Sequence, residues 1–169
     1  INIKNTKLYA DLAVKSGVKR LIFLSSVSVY GDNNDYNIFQ ENKKNKIFNY
    51  GDLPNPISSY AKSKLAAEKL LWGTSKRTGL EVVVVRLPLV YGKGVKGNLR
   101  HLIKLINLRI PLPLGLVNNR RSLIGIDNLV DVLIRCVDHP QAAGKTFLVS
   151  DGEDLSTPKI LKNFALALN

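Results

Sequence analysis

The chain has 169 residues, 45% of them apolar, which suits one globular domain with a sizeable core. A single cysteine, Cys136, rules out an internal disulfide, and with His101 and His139 it makes no zinc-ligand spacing. The net charge is +12, from 25 basic and 13 acidic residues, and no apolar run reaches the length of about 18 residues that a membrane span needs.

Residues 3–16 carry a helical pattern, with Gly17 as its stop. RLIFLSS (20–26) is a short apolar run, suited to a strand buried on both faces. Residues 31–56 form a long polar connection, a length usually kept for function. A helix is expected over 58–77, capped by Ser58 or Ser59. EVVVVRLPLV (81–90) is the strongest strand signal in the chain. NLRHLIKLINL (98–108) reads as an amphipathic helix, and the prolines of IPLPLG (110–115) keep that segment extended. RSLIGI (121–126) is a short strand, Asp127 a cap for a helix over 128–138, KTFLVSD (145–151) another strand, and Thr157-Pro158 the start of a last helix. Strands alternating with helices predict an α/β fold with a largely parallel sheet.

The chain opens at Ile1, contains no methionine, and begins in a helix, which reads as a segment of something longer. No signal peptide leads it, so a cytoplasmic setting is expected. The charge is local. Between Glu81 and Asp127 there is no acid, while Arg86, Lys93, Lys96, Arg100, Lys104, Arg109, Arg120 and Arg121 are all basic. This stretch is either a pocket for a small polyanion such as a nucleotide diphosphate or a solvated basic face. Nucleic acid ranks last, because Tyr91 is the one aromatic there and base stacking needs aromatics.

GKGVKG (92–97) matches the glycine pattern of dinucleotide-binding turns. It is rejected: Pro88 interrupts the preceding strand, and no acid stands about 20 residues on to hold a ribose. Any such fingerprint belongs upstream of this chain.

ISSYAKSKLAAE (57–68) places Tyr60 and Lys64 four residues apart on one helical face. Ser25 or Ser26, at the carboxyl end of a strand, points a hydroxyl at the cleft where open α/β sheets bind ligands. An ammonium beside a phenol favours the phenolate. Tyr60 then serves as a base toward an alcohol, with Ser26 hydrogen-bonded to the same oxygen and steadying it as charge develops.

Four blocks now stand in order: GVKRLIFLSSVSVYGD, NPISSYAKSKLAAEKLL, VVVVRLPLVYGKGVKGN and RRSLIGIDNLVDVL. Together they resemble the extended short-chain dehydrogenase/reductase family, and within it the NAD-dependent sugar-nucleotide epimerase/dehydratase group of the UDP-glucose 4-epimerase kind. The resemblance implies the second half of a Rossmann-type doubly wound parallel sheet over residues 1–97. A mainly substrate-binding portion follows over 98–169, with 121–151 partly returning to the sheet. A first half of roughly 80–90 residues, about 30 per βα unit, is missing. It implies NAD, or NADP, since the residue that chooses lies upstream. It implies Ser26, Tyr60 and Lys64 as catalytic residues, and Ser25, Tyr60, Lys64, Leu87 and Pro88 along the cofactor. Asn98, Leu99, Leu112, Leu114 and Arg121 fall at the substrate's uracil and diphosphate, where a guanidinium forks phosphate well. The expected activity is epimerisation at C4 of a UDP-hexose through a 4-keto sugar, in a full-length homodimer, with this portion alone inactive. Two departures narrow it. Val27 and Ser28 stand where the group's 4,6-dehydratases carry an acidic pair, which argues against dehydration. Leu89 stands where 4-epimerases often carry asparagine, which keeps an NAD(P)H-dependent 4-ketoreductase as the alternative. A non-catalytic relative that binds nucleotides or nucleic acid is the rival of another class.

Overall fold

The computed structural model describes residues 2–31, 47–94, 98–108, 117 and 119–168. Helix α1 (Asn2–Lys15) leads into strand β1 (Arg20–Ser26) and a 3-10 turn, Val27–Tyr30. Helix α2 (Ser59–Thr78), β2 (Glu81–Leu87), β3 (Leu89–Tyr91) and α3 (Asn98–Asn107) follow. The chain continues through β4 (Arg121–Gly125), α4 (Ile126–Asp138), a 3-10 turn (Pro140–Ala142), β5 (Thr146–Leu148), β6 (Asp154–Leu155) and α5 (Thr157–Leu168). The expected extended segment with Leu112 and Leu114, most of the polar connection and the second half of GKGVKG lie outside the described residues.

The α/β expectation holds, with two sheets in place of one. The first has the order β1-β2-β5, all parallel, and the second the order β3-β4-β6. The single strand expected over 81–90 is two strands. Pro88 has no N–H for the ladder, and the chain leaves the first sheet at that residue and pairs in the second. In the second sheet β3 runs parallel to β4, and β6 runs antiparallel to β4.

The valines of β2 account for the layers. Side chains alternate across a strand. Val82 and Val84 therefore pack with Ala10 and Leu71 under α1 and α2, while Val83 and Val85 pack with Cys136 and Ala142 under α4. All four valines are fully buried, each contributing about 1.5–3 kcal/mol of hydrophobic stabilisation. A third cluster, Leu99, Leu123 and Ile160, joins α3 and α5 to the second sheet.

Capping follows the sequence in most places. Gly17 ends α1 with φ +68°, and its N–H donates to the Val14 carbonyl. Ser58 caps α2, its Oγ accepting from the Ala61 N–H at 3.1 Å. Asp127 does not cap α4. The helix begins at Ile126, two residues earlier than expected, Gly125 is the cap residue, and Asp127 sits in the first turn, where its charge still suits the helix dipole. The Asp151 carboxylate takes up the Gly125 N–H at 3.0 Å.

Candidate active site

The parallel register of β1 and β2 sets Ser26 beside Leu87, so the carboxyl ends of both strands finish level. Chain direction then brings three more segments to that edge: the 3-10 turn after β1, Pro88 after β2, and the first turns of α2, which packs on both β1 and the 3-10 turn. This is the edge at which parallel α/β sheets bind ligands.

Lys64 reaches back from α2 to β1, and its Nζ donates to the Leu24 carbonyl at 2.9 Å. The same ammonium lies 5.8 Å from the centre of the Tyr60 ring and 5.0 Å from that of Phe23. One helical turn of spacing has thus become a cation held against the phenol's ring. Burial holds the Lys64 pKa below the ordinary lysine value. An ammonium has three donors; one goes to Leu24, and among the described residues the others have no partner and are left for a ligand. Tyr60 itself is 53% exposed, so its phenol is open to solvent and to a substrate rather than sealed in hydrocarbon.

Ser25 and Ser26 part ways, as neighbours on a strand must. Ser26 Oγ accepts from the Ser28 N–H at 3.2 Å and from the Ser28 hydroxyl at 2.9 Å. With both acceptor positions occupied, its own O–H is free to donate outward. Ser25 is buried, 3% exposed, and its hydroxyl is hydrogen-bonded to Glu68 Oε1. The Ser25 side chain is spent in the interior, which leaves only its backbone for the cofactor contact expected of it.

Glu68 belongs to a set of residues that the sequence reading passed over. Arg86 grips it with two nitrogens, Nε to Oε1 at 3.1 Å and Nη2 to Oε2 at 2.6 Å. Arg86 Nη1 donates to the Tyr30 hydroxyl at 2.5 Å, and that hydroxyl donates to the Tyr50 carbonyl at 3.3 Å. The guanidinium also lies 4.8 Å from the Tyr30 ring, which stacks on Phe48 at 5.1 Å. Burial opposes the Arg86 cation, but the bonds and charge of Glu68, with Tyr30 behind it, outweigh that and raise its pKa. The pattern could have shown this: Glu68 falls on the inward stripe with Ala61, Ala67 and Leu71, and Arg86 ends a run of four buried valines.

The substrate-side residues divide. Leu99 is 2% exposed in the core of the second sheet, so its side chain is packing and only its backbone is left for a ligand. The Asn98 side chain, Leu112 and Leu114 lie outside the described residues. Arg121 opens β4 toward its Pro88 end, exposed and with no hydrogen bond or ion pair among the described residues. A guanidinium left without an acid suits a phosphate. At the other end of β4, Asp151 gathers the Tyr91 hydroxyl at 2.8 Å, the Asn128 amide at 2.8 Å and the Gly125 N–H. Among the described residues no group of histidine, cysteine and acids could hold a metal, and no helix is long and apolar enough to cross a membrane.

A parallel α/β sheet with serine, tyrosine and lysine at its carboxyl edge defines a protein of the short-chain dehydrogenase/reductase class. Comparison with known proteins is in agreement. Residues 1–150 match the model of the NAD dependent epimerase/dehydratase family, and the chain belongs to that family. It is 42% identical over 170 residues to UDP-glucose 4-epimerase of Vibrio cholerae, covering 100% of this chain and 49% of that protein. It is 27% identical to N-acetyl-alpha-D-glucosaminyl-diphospho-ditrans,octacis-undecaprenol 4-epimerase of Escherichia coli O157:H7, covering 100% of this chain and 48% of that protein. The chain therefore spans about half the length of the curated relatives it matches. Among solved structures, UDP-glucuronic acid 4-epimerase from Bacillus cereus, in complex with UDP-glucuronic acid and NAD, superposes with a TM-score of 0.82 at 23% identity. The match covers 96% of this chain and 50% of that one, a likeness of fold.

Proposed function

We propose that the whole protein of which this chain is part is an NAD-dependent epimerase acting at C4 of a UDP-hexose through a 4-keto sugar. The observation that carries the reading is the Lys64 ammonium, fixed on the Leu24 carbonyl and held 5.8 Å from the Tyr60 ring, one strand residue from Ser25 and two from Ser26. The 42% identity to a UDP-glucose 4-epimerase supports the choice of reaction over the ketoreductase alternative.

The donor set fits the nicotinamide end of NAD. Tyr60 and the spare Lys64 donors would hold the ribose hydroxyls, and the backbone at Leu87–Pro88 would lie beside the ring. When bound, NAD supplies the acceptor and donor of the C4 hydride. This chain's residues handle the proton and the oxygen. With the Lys64 ammonium beside its ring, Tyr60 takes the proton from the C4 hydroxyl. Ser26 donates to the same oxygen as it becomes the keto oxygen, a role for which Ser28 has left its proton free. After the 4-keto sugar turns over, Tyr60 returns the proton to the oxygen on the other face. Arg121 would pair with the diphosphate.

The test is incubation of the whole protein with NAD and UDP-glucose. An epimerase interconverts UDP-glucose and UDP-galactose with no net reductant. Consumption of NAD(P)H by a 4-keto nucleotide sugar, without interconversion, would instead support the ketoreductase. Salt-sensitive DNA binding without turnover would support the non-catalytic rival. The isolated 169-residue portion is proposed to be inactive, and its turnover would contradict that. Exposed Leu8, Tyr9 and Leu12 on α1 support a homodimer of the whole protein, to be checked by its mass in solution.

A further inference from the structure

A buried ion pair is a poor device for stability alone. Apolar residues of similar volume usually serve as well or better, because two ions must first lose their water. Carboxylate and guanidinium offer direction, which hydrocarbon does not. Glu68 and Arg86, 2% and 7% exposed, are too deep to meet a ligand. Yet their bonds end on every segment that carries the site. Glu68 holds Ser25, the residue before Ser26. It lies one turn beyond Lys64 and two beyond Tyr60 on α2. Through Arg86 it holds Tyr30, which closes the 3-10 turn that Ser26 opens, and through Tyr30 it holds Tyr50, in the approach to α2. Ser26 is thus clamped from both sides to the carboxylate–guanidinium pair that also anchors the tyrosine's helix.

We propose that Glu68 and Arg86 are positioning residues that set the separation of Ser26 from Tyr60 and Lys64. The proposal rests on the reading of Tyr60 as the base. Its test separates direction from stability in the whole protein. The double substitution Glu68→Leu with Arg86→Met removes both charges together and leaves neither ion unpaired. This variant is expected to unfold near the unaltered midpoint. Its kcat is expected to fall about 100-fold, the scale of a misplacement of about 1 Å, with KM for UDP-glucose within about threefold. Ser25→Ala removes a single bond and keeps the ion pair; its kcat is expected to fall about tenfold, the worth of one hydrogen bond. Thr74→Ala, at a buried helix residue whose hydroxyl donates to the Leu70 carbonyl, is the control and should keep full activity.

A folded double variant with kcat within threefold of the unaltered protein overturns the proposal. If the double variant does not fold, Ser25→Ala decides: lower kcat at constant KM supports the proposal, and unchanged kcat overturns it. If the unaltered protein shows no turnover, the functional reading has failed separately. Amide exchange at Val27, Ser28 and Tyr60 in Ser25→Ala then decides the positioning claim, faster exchange supporting it and unchanged exchange overturning it.

Discussion

Glu68→Ala is the most informative stability perturbation in this chain. The substitution strips Arg86 of its two carboxylate bonds and leaves the Ser25 hydroxyl without its acceptor. Among the described residues Arg86 then keeps only the Tyr30 hydroxyl and ring, in surroundings 7% exposed. A buried charge deprived of its partner costs about 3–5 kcal/mol. Against a whole stability of about 5–15 kcal/mol that is a fifth or more. At about 2–4 °C per kcal/mol the melting temperature drops by about 6–20 °C. Urea titration at pH 7 measures the same loss as a lower midpoint with an unchanged slope. A double-mutant cycle with Arg86→Met should recover much of it, because the second substitution removes the stranded charge. A loss below about 1 kcal/mol for Glu68→Ala would refute the reasoning, since it would mean that water reaches the guanidinium.

Two further outcomes follow from other parts of the fold. Gly31 has φ +94°, and a Cβ there would stand 2.6 Å from the Asn55 carbonyl oxygen; Gly31→Ala should cost about 1–3 kcal/mol in urea titration, whereas an equal midpoint would show that the close approach is not real. The Asn128 amide, with Tyr91 and the Gly125 N–H, holds the Asp151 carboxyl below the ordinary aspartate pKa, a contribution present above that ordinary value and lost as pH falls through the folded-state one. The Asp151 bond, with burial, raises the Tyr91 phenol above the ordinary tyrosine pKa, so that contribution is present below that ordinary value and lost as pH rises through the folded-state one. Asp151→Asn should therefore flatten the stability profile at both the acid and the alkaline end, and a profile unchanged at both ends would contradict the assignment.

What the sequence made legible was local. Strands read from apolar runs, helices from periodicity and caps, and the Tyr60–Lys64 pair from spacing alone, because each depends on neighbours within a turn or two. Pro88 was legible as a break, but not its consequence. The move of β3 into a second sheet depends on pairing with β4, over thirty residues away, where a short strand carries little pattern of its own. The Glu68–Arg86 pair joins two elements and was hidden for the same reason. Glutamate in KLAAEKLL reads as a solvated helix residue until the inward stripe is traced, and arginine after four valines reads as the start of a basic face. Asp127 was mistaken for a cap because sequence offered the nearest acid, whereas the Gly125 N–H found Asp151, 26 residues on. Leu99 falls at the substrate by family resemblance, and packing takes its side chain into the core.

The central claim is that a phenol beside a fixed ammonium moves the proton of a sugar hydroxyl. Tyr60→Phe in the whole protein removes one oxygen from an exposed site and should leave the fold and its melting temperature unchanged. Interconversion of UDP-glucose and UDP-galactose, followed with saturating NAD, should then fall by about 10²–10⁴-fold in kcat. Epimerisation by Tyr60→Phe at a rate within a few-fold of the unaltered protein would contradict the account.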